Sequence, residues 1–89
     1  MNKLEEARLR IDQIDQQMAD LFKARMIAVI DVLDYKKQNH LPVLDATREM
    51  KMIDKNVARF NTPELEAYYK QFLKSILEIS RTYQEDHYE

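Results

Sequence analysis

Apolar residues recur every three or four positions along most of the chain. Positions 4, 7, 11, 14, 18, 21, 25, 28, 32 and 35 read Leu4, Ala7, Ile11, Ile14, Met18, Leu21, Arg25, Ala28, Val32 and Tyr35. That is a 3-4 heptad seam held for more than four heptads, and only Arg25 interrupts it. Ala46, Met50, Ile53, Val57 and Phe60 form a second stripe. Leu65, Tyr69, Phe72, Ile76, Ile79 and Tyr83 form a third. Both are most simply the core faces of amphipathic helices. Pro42 lies in Asn39-His40-Leu41-Pro42-Val43, a break in the pattern. At the second break, Thr62 reads as an N-cap, with Pro63 at the first helical position and Glu64 in the first turn. Asp45 is a candidate cap for the middle segment. The pattern predicts three helices, near 3–39, 46–60 and 63–85, in one all-α domain spanning 1–89.

Composition sharpens this picture. The chain has 89 residues, no glycine and two prolines. A Rossmann fingerprint and a P-loop are excluded outright, because both need glycines where backbone meets phosphate. There are no cysteines, hence no disulfide and no thiolate metal site. Fourteen Lys and Arg against sixteen Asp and Glu leave a net charge of −2, which argues against a general nucleic-acid binder. The longest apolar run, Met26 to Ile30, falls far short of the ~20 residues of a membrane span. The first residues lack a signal-peptide core, so a soluble, cytoplasmic protein is expected.

The first segment is too long for its own chain to cover. About 37 helical residues make a rod of roughly 55 Å, whereas a compact domain of this length has a radius of gyration of about 12 Å. Paired first helices of an obligate homodimer are the simplest cover for the seam.

Several polar residues fit the pattern poorly. Arg25 interrupts the seam, either as a snorkelling or ion-paired arginine or as a guanidinium awaiting a carboxylate. Lys36 is eleven residues on, within about 20° of the same face and roughly 16 Å along the axis. Arg8 flanks the seam about 25 Å from Arg25, too far to join it within one chain. In an antiparallel pair centred near position 19.5, residue 8 of a second copy falls opposite residue 31, between Arg25 and Lys36. A solvent-facing Arg8 is the plain alternative. Asp45, Arg48 and Glu49 share one helical face, as a capped helix start with a surface ion pair would. Ser80 and Gln84 continue the row Leu73, Leu77, and most simply mark its exposed end. His40 and His87 are isolated and receive no role, and no Ser-His-Asp or Cys-His arrangement is readable.

Taken in order, these residues resemble the all-α (type II) chorismate mutase family, in its stand-alone, monofunctional form. The resemblance runs from about Leu4 to Gln84. It rests on Arg8-x-x-Ile11-x-x-x-Asp15, Arg25, Lys36, Pro42-Val43-x-Asp45-x-x-Arg48-Glu49 and Ser80-x-x-x-Gln84. No piece is specific alone; the joint order in a glycine-free three-helix chain is. It implies an intertwined homodimer that converts chorismate to prephenate on the way to phenylalanine and tyrosine, with no cofactor and no metal. It further implies that Arg25 and the second copy's Arg8 grip the two carboxylates. Lys36 would bind the enolpyruvyl carboxylate and donate to the ether oxygen, with Gln84 as the second donor. Glu49 would accept from the ring hydroxyl, Asp45 and Arg48 would line that end, and Ser80 would help hold the ring carboxylate. Gln84 donates at any pH, so little acid dependence is expected from that position.

Leu33 stands where many relatives carry a small residue, with altered packing at the pocket mouth as the expected effect. Two rivals remain. An isochorismate–pyruvate lyase shares the fold and cations, but such relatives typically lack the Asp45…Arg48-Glu49 acids. A non-catalytic helical dimerisation or adaptor module has no need of Arg25 in the seam or Gln84 on the third helix.

Overall fold

The computed structural model describes all 89 residues, Met1–Glu89, as helices joined by short turns, with no strand. Helix α1 runs Lys3–Gln38. The Asn2 side chain caps it, accepting from the Glu5 amide at 2.8 Å. Glu5 and Glu6 lie in its first turn and Lys36 and Lys37 in its last, each sign matched to the helix dipole. The helix ends as His40 turns left-handed at φ 55°. Helix α2 runs Ala46–Ala58, and Asp45 caps it as expected, accepting from the Arg48 amide at 3.0 Å. A left-handed Asn61 then reverses the chain, a conformation asparagine tolerates better than most residues.

The third helix starts differently from its predicted form. Pro63–Leu65 form a single 3-10 turn, and helix α3 proper runs Glu66–Asp86. Thr62 makes no side-chain cap; its hydroxyl donates to the Phe60 carbonyl at 3.2 Å. Local hydroxyl-to-carbonyl bonding competes with capping, and here it prevails.

Helix α3 packs against both other helices, whereas α1 and α2 do not approach each other. A stack of Phe60 on Tyr69, ring centroids 4.1 Å apart, anchors the α2–α3 end. The apolar interior is small: Val29, Leu33 and Leu73. The α1 contribution lies beside the heptad seam, not on it. Leu4, Ile11, Ile14, Met18, Leu21, Val32 and Tyr35 of the seam are exposed in the single chain, Leu21 at 69%. Up to Leu21 the reason is length, whereas Val32 faces the cavity described below. Helix α3 has 21 residues, about 32 Å; its side chains meet α1 at Arg25 and Lys36, and the His87 carbonyl just past its end accepts from Lys37. The N-terminal half of α1 projects alone, giving a 55 Å long molecule with a radius of gyration of 16.4 Å.

The other two stripes are covered in part, with Ile53, Val57, Phe60, Tyr69, Ile76 and Tyr83 half-buried. Met50, Leu65, Phe72 and Ile79 are exposed, while α3 turns the row Leu73, Leu77, Ser80, Gln84 inward. Leu33 is 3% exposed, in the interior and away from the pocket mouth. No helix is long and apolar enough to cross a membrane.

Candidate active site

The inward row of α3 ends on polar residues, yet Ser80 is 6% and Gln84 7% exposed. They do not mark an exposed end. They form the floor of a cavity of about 320 Å³ enclosed by α1, the 41–45 segment, α2 and α3. Ala28, Val29, Val32, Val43, Met52 and Leu77 supply its apolar wall. Arg25 and Lys36 reach it from α1, Asp45, Arg48 and Glu49 from the start of α2, and Ser80, Arg81 and Gln84 from α3. Seven of the eight residues expected at the site therefore meet in one place. Arg8 is the exception. It is exposed on the projecting half of α1, 17 positions before Arg25, and lies outside this chain's cavity.

The polar groups hold one another in fixed orientations. The Lys36 ammonium donates to the Val43 carbonyl at 2.7 Å and to Gln84 Oε1 at 3.0 Å. An ammonium has three hydrogens, so one is left for a ligand. Because Gln84 Oε1 accepts from Lys36, the opposite end of that amide, Nε2, is a donor for the same ligand. Arg25 Nη1 donates to Ser80 Oγ, while the Ser80 hydroxyl donates to the Ile76 carbonyl at 2.9 Å. The only Ser80 hydrogen goes to its own helix, so the oxygen is turned to accept and thereby orients Arg25. This refines the implied role of Ser80, whose hydroxyl acts on the arginine.

The electrostatics favour an anion. Burial lowers the pKa of Arg25 from its ordinary value, and neighbouring Arg48 lowers it further, both effects disfavouring a bare cation. Arg25, Lys36, Arg48 and Arg81 against Asp45 and Glu49 leave the lining with a net charge of +2. An anion balances that charge and replaces water lost by the half-buried guanidinium. His40 and His87 are not among the residues lining the cavity; His87 stacks on Tyr83 and meets its carbonyl at 2.9 Å. No group of three His, Cys, Asp or Glu side chains stands where it could hold a metal ion.

Arg81 was not anticipated. Its Nη1 donates to both Glu49 carboxylate oxygens, each at 2.9 Å. That hydrogen bond, and then the charge of Glu49, raise the Arg81 pKa from its ordinary value. Glu49 is thus tied to α3 and not to its sequence neighbour Arg48. The signal was present in the spacing: Arg81 is four residues after Leu77 and three before Gln84, on the edge of the same row. The Val43 carbonyl, as a backbone acceptor, left no trace in the side-chain pattern.

A three-helix chain with an oriented lysine–glutamine pair in a dicationic cavity defines a class of helical, anion-binding site. The comparisons give that class a family. Residues 7–85 match the family described as chorismate mutase type II, so the chain belongs to that family. No curated protein and no solved structure matches the chain.

Proposed function

We propose that this chain is a chorismate mutase, rearranging chorismate to prephenate for phenylalanine and tyrosine synthesis, and that it works as a homodimer. The observation that carries the reading is the Lys36–Gln84 pair at 3.0 Å, set in a cavity of charge +2. The reaction is a unimolecular pericyclic shift. As the ether C–O bond breaks, negative charge grows on its oxygen while the new C–C bond forms. No nucleophile, general base or cofactor is needed. What accelerates it is a folded substrate conformer and donors aimed at the ether oxygen.

The free hydrogen of Lys36 and Nε2 of Gln84 serve that oxygen. Lys36 is held by two acceptors before substrate arrives, so little reorganisation accompanies charge development. Arg25, oriented by Ser80, grips one carboxylate through the planar fork that suits it. Arg48 and Asp45 line the far end, and Glu49 accepts from the ring hydroxyl. The bare α1 seam supports a second copy as its cover, and that copy's Arg8 completes the carboxylate clamp. The acids at 45 and 49, both lining the cavity, favour the mutase over the lyase.

Incubation with chorismate tests the reading. Loss of the diene absorbance with prephenate appearing supports it. Pyruvate release from isochorismate replaces it with the lyase, and inertness toward both leaves the adaptor module.

A further inference from the structure

Arg81 is the one charged residue of the cavity that the motif resemblance does not include. Its guanidinium spans from α3 to the first turn of α2, with one nitrogen 2.9 Å from both oxygens of Glu49. Both side chains are about a quarter exposed, Arg81 at 29% and Glu49 at 25%. Two consequences follow from that geometry. The plane of the carboxylate is fixed, yet a carboxylate offers about four lone-pair sites, so it remains an acceptor. Its charge is also compensated. A bare Glu49 in the same cavity repels a dianionic ligand.

We infer that Arg81 is a positioning residue, which holds Glu49 as a fixed, charge-compensated acceptor for the ring hydroxyl of the substrate. The inference rests on the mutase reading above. A purely structural brace between α2 and α3 is the competing role, and the two differ in what they do to substrates. A brace acts on the whole cavity. A positioning residue acts most where Glu49 has a hydroxyl to meet.

The experiment compares chorismate with its analogue lacking the ring hydroxyl, using the wild-type chain, Arg81→Met and Arg81→Lys. For Arg81→Met, kcat/KM on chorismate is expected to fall by about 10- to 100-fold, the range for losing one charge-assisted hydrogen bond. On the deoxy analogue the loss should be clearly smaller, only the part that the uncompensated Glu49 charge causes on either dianion, and Arg81→Lys should recover most of the loss on chorismate. An equal loss on both substrates, including one caused by poor folding, assigns Arg81 to the brace and overturns the inference. So does an Arg81→Met variant that turns over chorismate normally. In both cases the mutase reading stands, because the wild-type chain is active. A wild-type chain inert toward chorismate overturns that reading itself, and the inference with it.

Discussion

Leu21 lies near the centre of the α1 seam and is 69% exposed in the single chain. In the antiparallel pairing it meets Met18 of a second copy, so replacing it by arginine strikes the dimer twice. A compact monomer of this mass exposes about 5,500 Å², whereas this chain exposes 7358 Å². The excess, set against that scaling, is roughly 1,900 Å² per chain. Two copies covering it bury about 3,700 Å², inside the range of obligate homodimers. Each buried leucine contributes about 1.5–3 kcal/mol, so the symmetric loss in Leu21→Arg is about 3–6 kcal/mol. That weakens the dimer by about 10²- to 10⁴-fold. Sedimentation equilibrium and melting temperature against protein concentration read this directly. The wild-type chain should sediment as a dimer, with a melting point that rises with concentration. Leu21→Arg should dissociate and lose helix together, since only three apolar side chains, Val29, Leu33 and Leu73, are buried within one chain. A wild-type monomer with full helicity, melting independently of concentration, would refute the reasoning.

Two further outcomes test the site. Lys36→Ala should lower kcat by about 10²- to 10³-fold, the usual loss for one electrostatic donor at a developing charge; steady-state kinetics showing a rise in KM alone would move Lys36 from catalysis to binding. Arg8→Ala and Arg25→Ala should each be inactive alone, and mixing the two should restore some activity, because one of the two cavities in a heterodimer regains both arginines. Verified subunit exchange without recovery would reject a shared site.

Much of this protein was legible in its sequence. The missing glycines and the helical periodicity dictate three helices, and local rules place most of their ends within a residue or two. Asp45 caps α2 because its carboxylate reaches the Arg48 amide within a single turn. The motif order also named seven residues that share the cavity, since recurring chemistry leaves a record in residue type and spacing. Tertiary structure decided the rest. Periodicity marked three apolar stripes, but whether a stripe meets its own chain or another depends on helix length and crossing. So α1 buries Val29 and Leu33 beside its seam and leaves the seam bare. Ser80 and Gln84 read as an exposed helix end until two other helices closed over them. The Arg81–Glu49 pair joins residues 32 positions apart, and the Val43 carbonyl meets Lys36 only through the fold of a loop. Long-range partners of this kind depend on where whole helices come to rest, which no local pattern of side chains encodes.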